Sequence, residues 1–120
     1  MPRLTFSRIA EMTGGALVQG GDVESTSVVI DSREVKPGAA FFAIKGERLD
    51  GHQFVEQALQ TASGAVVSQA PANVDPSKAI VKVDDTTVAL KRLARAIRNE
   101  FPFTLVAITG SAGKTTTKEM

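Results

Sequence analysis

Ala39-Ala40-Phe41-Phe42-Ala43-Ile44, Gln53-Phe54-Val55-Glu56-Gln57-Ala58-Leu59-Gln60-Thr61-Ala62 and Ala65-Val66-Val67 follow one another along the chain, and their reading decides the fold class. The first block is an unbroken apolar run closed by Gly46, the pattern of a strand buried on both faces. In the second, Phe54, Val55, Ala58, Leu59 and Ala62 form one stripe at helical spacing, which predicts a helix over 53–62. Gly64 stands where a C′ glycine would end that helix. The third block is a short strand rich in β-branched residues. A strand, a helix and a second strand in that order imply an α/β arrangement whose sheet is at least partly parallel.

The same alternation continues in both directions. Towards the N-terminus, Val28-Val29-Ile30 reads as a strand that runs into Asp31-Ser32-Arg33, and Pro37-Gly38 is a turn signal. Leu4 to Met12 carries Phe6, Ile9 and Ala10 near helical spacing, with Thr5 or Ser7 as N-cap and Gly14-Gly15 as stop. Ala16-Leu17-Val18 is a short apolar run ended by Gly20-Gly21-Asp22. Towards the C-terminus, Pro71 to Pro76 is a loop and Ile80 to Val83 a strand. Asp84 or Asp85 can cap a helix running through Arg98, with Leu90, Leu93, Ala94 and Ile97 inward. Asn99-Glu100-Phe101-Pro102 breaks it, and Phe103 to Thr109 is a last strand. The expectation is a small mixed sheet with flanking helices over residues 1–100. Residues 101–120 would then open a second unit that so few residues cannot complete, because a central parallel strand needs neighbours on both sides. The chain is therefore expected to be a fragment of a longer protein.

Composition narrows the function classes. At 120 residues the chain can build one core. Its 42% apolar and 22% charged residues are those of a globular domain, not a disordered one. A net charge of +1 weighs against a nucleic-acid binder that works by charge. The absence of cysteine excludes disulfides, thiolate zinc sites and a cysteine nucleophile. The longest apolar run, Ala39 to Ile44, is far short of the ~20 residues that span a bilayer, and the N-terminus lacks the apolar stretch of a signal peptide. A soluble, cytoplasmic chain is expected.

The sharpest chemical signal is Thr109-Gly110-Ser111-Ala112-Gly113-Lys114-Thr115-Thr116, placed after the apolar strand Leu105 to Ile108 and before residues that suit a helix start. Glycines at 110 and 113 permit backbone angles that turn successive N–H groups toward one anion. A helix opening near Lys114 would add the positive end of its dipole. Lys114 would supply a cation for the β- and γ-phosphates of a bound nucleotide, and the Thr115 hydroxyl a ligand for Mg²⁺. The residue five before Gly113 is Ile108 rather than glycine, so the pattern is the shorter Gly-x-x-Gly-Lys-Thr form and not the common phosphate loop. A glycine-rich turn with a solvated lysine is the bland alternative.

These residues, with Lys118-Glu119-Met120 after them, resemble the ATP loop of the Mur ligases of peptidoglycan synthesis. Asp31-Ser32-Arg33, Val35, Pro37-Gly38, Phe41-Phe42-Ala43, Gly46-Glu47-Arg48, Asp50-Gly51-His52 and Phe54 are similar, in that order, to the N-terminal domain of the same family. The resemblance implies a substrate-binding first domain followed by the start of a central ATPase domain. It also implies a carboxylate activated by ATP to an acyl phosphate and then attacked by an amine. Gly110, Ser111, Ala112, Gly113, Lys114, Thr115 and Thr116 would hold ATP, with Lys114 catalytic and Thr115 on Mg²⁺. Ile30, Ser32, Arg33, Glu47, Arg48 and Leu49 would meet the uridine nucleotide of a UDP-MurNAc-peptide. The Lys118-Glu119-Met120 ending and Ser111-Ala112 resemble the branch that takes D-Ala-D-Ala as second substrate. The alternatives are the branch adding diaminopimelate or lysine, or a stand-alone UDP-sugar-binding module. A monomer is expected, with the fragment inactive alone.

Other residues carry weaker readings. Asp31 and Arg33 can equally form a structural pair at a strand end. His52, the only histidine, could orient the loop before the 53–62 helix or touch substrate. Lys91, Arg92, Arg95 and Arg98 form a basic helix surface, read as a solvated face. Asp84-Asp85 suggests a metal pair, but helix capping explains it more simply.

Overall fold

The computed structural model describes residues 3–45, 50–71, 74–100 and 108–109. Along the chain lie β1 (Leu4–Thr5), α1 (Phe6–Thr13), β2 (Ala16–Gln19), β3 (Glu24–Ser25), β4 (Ser27–Val29), β5 (Ala39–Phe42), α2 (Val55–Ala58), β6 (Gly64–Val67), β7 (Ala79–Lys82), α3 (Thr86–Glu100) and β8 (Ile108–Thr109). Single 3₁₀ turns occupy Ser32–Glu34 and Gly51–Phe54. Six strands form one mixed sheet in the order β2-β7-β6-β5-β4-β8. All neighbours are parallel except β2, which runs antiparallel along β7 at one edge. β1 and β3 make a separate two-stranded ladder, Leu4 facing Ser25. The α/β class and the small mixed sheet with flanking helices are as expected.

Strand alternation divides the core into two layers. On one face Val28, Ala40, Phe42, Val66, Ala79 and Val81 pack with Phe6, Ile9 and Ala10 of α1 and Ala89, Leu93 and Ile97 of α3. On the other, Phe41, Ala65, Val67 and Ile80 pack with Val55, Ala58, Leu59 and Ala62. β5 and β6 are buried throughout because helical segments cover both faces, which explains their uninterrupted apolar runs. Phe41 and Phe42 point into opposite layers, and each buried ring contributes ~1.5–3 kcal/mol.

The helix ends follow local chemistry. Thr5, one of the two expected caps, accepts the Arg8 N–H at 3.2 Å, and Gly14 closes α1 in the left-handed region at φ 74°. Asp85 caps α3, its Oδ1 accepting from Thr87 and Val88 at 2.9 and 3.1 Å. The inward stripe of α3 is Thr86, Ala89, Leu93 and Ile97, with Leu90 only partly buried and Ala94 at intermediate exposure. The expected stripe is thus turned, because the Thr86 hydroxyl donates to the Ala43 carbonyl at 2.9 Å and fixes how the first turn meets the sheet. α3 also continues to Glu100, whose carboxylate receives Arg8 from α1.

Two expectations are corrected. The helix predicted over 53–62 is four residues long; a 3₁₀ turn precedes it and turns follow it. Val55, Ala58, Leu59 and Ala62 of its apolar stripe are still buried and Phe54 is partly so, since Leu59 N–H to Val55 O and Ala62 N–H to Ala58 O keep the chain coiled against the sheet. Gly64 does not cap that helix: it is the first residue of β6, and only Gly14, Gly20 and Gly38 among the described glycines have positive φ. A Cβ at Gly64 would lie 2.6 Å from the Ala79 carbonyl oxygen and 2.8 Å from the Phe6 ring, so close packing, not backbone freedom, requires glycine there. Of the strand expected over Phe103 to Thr109, only 108–109 lie within the described residues, and Ile108–Thr109 pair in parallel with Val28–Val29 at the sheet edge.

Candidate functional site

Because β4, β5, β6 and β7 are parallel, their carboxyl ends share one edge of the sheet. Residues leaving those ends are Ile30 to Arg33, Ala43 to Lys45, Ser68, and Val83 to Asp85. Open α/β sheets take ligands at this edge. Ile30 and Ser32 are partly buried there. Ser32 opens the 3₁₀ turn that follows β4.

The Asp31 carboxylate accepts the Arg33 main-chain N–H at 2.9 Å and grips the Arg33 guanidinium from Nε at 3.0 Å and Nη2 at 2.8 Å. The Arg33 side-chain hydrogen bonds first, and its backbone N–H next, hold the Asp31 carboxyl below the usual carboxylate range; the side-chain bonds, then the Asp31 charge, raise Arg33. Asp31 is 16% exposed and Arg33 81%. The pair therefore sets the turn after β4. Arg33 still points three of its five donors outward, enough to meet an anion without leaving Asp31.

A second constellation joins β5 to β6. Asp50 pairs with Lys45 across the base of their connection, and the Gly51 N–H donates to the Ile44 carbonyl at 2.9 Å. Asp50 Oδ1 accepts the His52 N–H at 2.9 Å and lies 2.6 Å from His52 Nδ1. His52 Nε2 accepts the Ser68 N–H at 2.9 Å. The backbone bond from His52, then its ring, hold the Asp50 carboxyl below its usual range. Sequence reading placed His52 at a loop but missed Ser68, which lies 16 residues away and meets it only through the fold.

Among the UDP-site expectations, Ile30, Ser32 and Arg33 come together at this edge, while Glu47, Arg48 and Leu49 lie outside the described residues. So do Gly110, Ser111, Ala112, Gly113, Lys114, Thr115 and Thr116. Among the described residues no His, Cys, Asp or Glu cluster could hold a metal ion, and Asp85 serves as the cap of α3. No helix among them is long and apolar enough to cross a membrane.

Residues 24–99 match the family model described as Mur ligase family, catalytic domain. The chain belongs to the Mur ligase family. This Mur ligase chain is 41% identical over 120 residues to the UDP-N-acetylmuramoyl-tripeptide–D-alanyl-D-alanine ligase of Escherichia coli (strain K12), covering all of this chain and 26% of that protein. It is 35% identical over 111 residues to the UDP-N-acetylmuramoyl-L-alanyl-D-glutamate–2,6-diaminopimelate ligase of Geobacillus thermodenitrificans, covering 91% of this chain and 22% of that one. A crystal structure of MurF from Acinetobacter baumannii superposes with a TM-score of 0.71 at 31% identity, over 83% of this chain and 22% of that one. The chain thus spans about a quarter of the length of the curated relatives it matches. The Mur ligase assignment accounts for the ordered motifs from Asp31 to Phe54, and the superposition for the sheet that carries them.

Proposed function

We propose that this chain is the nucleotide-sugar-binding part of a cytoplasmic, monomeric, ATP-dependent ligase that joins D-Ala-D-Ala to UDP-MurNAc-tripeptide in peptidoglycan synthesis. The observation that carries the reading is the 41% identity, along the whole chain, to a ligase named for that reaction. The Lys118-Glu119-Met120 ending supports the same branch. The diaminopimelate-adding branch is the second reading, favoured by the 35% identity to one of its members.

The uridine end would lie along the carboxyl edge, with the Ser32 hydroxyl as a hydrogen-bond partner and Arg33 and Arg48 as cations for the diphosphate. Ile30, Glu47 and Leu49 would complete its surroundings. At the other end of the reaction, the donor set of Gly110 to Thr116 fits ATP and Mg²⁺: two glycines, one ammonium and adjacent hydroxyls. When bound, Mg²⁺ neutralises charge on the phosphates. Thr115 would hold it, and main-chain N–H groups from Gly110 to Gly113 would orient the triphosphate. A carboxylate is a poor electrophile until phosphorylated. The substrate's terminal carboxylate oxygen attacks the γ-phosphorus and ADP leaves. The amine of D-Ala-D-Ala then attacks the acyl carbon, loses a proton and expels phosphate. Lys114 would stabilise the charge moving onto the β–γ bridge during the first step.

The test is an assay of the whole protein that carries this chain. ADP release that requires both UDP-MurNAc-tripeptide and D-Ala-D-Ala is expected. Turnover with the UDP-dipeptide and diaminopimelate in their place would transfer the assignment to the second reading.

A further inference from the structure

The fold engages both ring nitrogens of the one histidine in the chain. An amide N–H only donates, so His52 Nε2 must accept from Ser68, and the ring proton sits on Nδ1, where the Asp50 carboxylate takes it at 2.6 Å. Ser68 Oγ lies 3.0 Å from the same Nε2. His52 is 15% exposed, so these bonds are partly shielded from water. Asp50 is in turn fixed by the His52 main chain and by its bridge to Lys45. Gly51 seats this turn directly on the residues that leave β5: a Cβ there would come within 2.8 Å of Ile44 N and 3.0 Å of Ala43. Ile44, Lys45, Asp50 to His52 and the first residue beyond β6 are thereby one hydrogen-bonded unit. Serine, histidine and aspartate also form the nucleophile relay of hydrolases. Here the lone pair that would take the serine proton already receives the Ser68 N–H, so the unit holds geometry and does not activate a nucleophile.

We infer that His52 is a positioning residue, which in its Nδ1–H tautomer clasps the β5 connection to the end of β6 and so sets the affinity of the carboxyl edge for the uridine end of the substrate. This rests on the substrate reading above. The bonds it uses join Asp50, His52 and Ser68 of that edge, so its effect is assigned to substrate binding.

The experiment compares wild type, His52→Phe, His52→Gln and Ser68→Ala in the whole protein, with ¹⁵N NMR of the wild-type imidazole. The proton is expected on Nδ1. His52→Phe, which can neither donate nor accept, should raise KM for UDP-MurNAc-tripeptide about tenfold. Its kcat and its KM for ATP should stay within about twofold. His52→Gln keeps an acceptor for the Ser68 amide and should raise that KM only about threefold. Ser68→Ala keeps the main-chain donor and should remain within about twofold of wild type. A proton on Nε2 overturns the clasp, as does a folded His52→Phe with wild-type KM or one that loses kcat instead. Should His52→Phe not fold, the glutamine variant decides: a raised KM supports the clasp, and a wild-type KM overturns it. Wild-type protein that fails to bind the uridine precursor overturns the substrate reading itself, and this inference falls with it. Wild-type binding indifferent to His52→Phe overturns the clasp alone.

Discussion

Asp31, Asp50 and Asp75 are each held below the ordinary carboxylate range by bonds formed two residues downstream: to Arg33, to His52, and to the Ser77 amide and hydroxyl. A carboxylate with a lowered folded pKa stabilises the protein above its unfolded value, ~3.9 for aspartate, and that stability is lost as pH falls through the folded value. The urea midpoint is therefore expected to drop below about pH 4, with a shallower drop in Asp50→Asn. A midpoint unchanged into strong acid contradicts this. Gly64 carries a second residue-scale prediction. A methyl there meets the Ala79 backbone and the Phe6 ring, both in the core, so Gly64→Ala should cost ~1–3 kcal/mol in denaturant unfolding. A cost near zero would mean that β6 and β7 can move apart without penalty. The Asp31–Arg33 pair was legible in the sequence because its partners are two residues apart. The packing need at Gly64 was not, because it comes from Ala79 and Phe6, far away in sequence.

At the level of elements, legibility followed burial. β5, β6 and β7 stood out because strands covered on both faces read as apolar runs. β1 and β3 did not, being two residues each and held by tertiary pairing of Leu4 with Ser25. The segment after His52 showed the right stripe but the wrong length, since a 3₁₀ turn, a single α turn and further turns bury the same residues as a regular helix would. α3 tests this view of what holds the elements together. Leu93 is 1% exposed between the sheet and α1, so Leu93→Ala should destabilise by ~2–5 kcal/mol. Asp85→Ala removes the cap and should cost ~1 kcal/mol, while Arg95→Ala on the exposed face should stay within about 0.5 kcal/mol. Equal effects from Leu93 and Arg95 in thermal unfolding would contradict the two-layer core.

At the scale of the whole molecule, the proposed function divides labour: the carboxyl edge would hold the uridine precursor and the Gly110 to Thr116 loop would handle ATP. In the whole protein, Lys114→Ala is expected to abolish ATP-dependent ligation, a loss well beyond tenfold, and leave binding of the UDP precursor unchanged. An active Lys114→Ala enzyme would remove the role given to that ammonium. The parallel sheet makes the other half of the division testable, because it puts the ends of β4, β5 and β6 on one side and their beginnings on the other. The most direct measurement is a titration of this 120-residue chain with UDP-MurNAc-tripeptide, followed by ¹⁵N amide shifts. Movement concentrated at Ile30, Ser32, Arg33 and Ser68 is predicted. A folded chain whose amides stay still at millimolar ligand, or move around Lys36 and Lys78 at the opposite edge, would contradict the account.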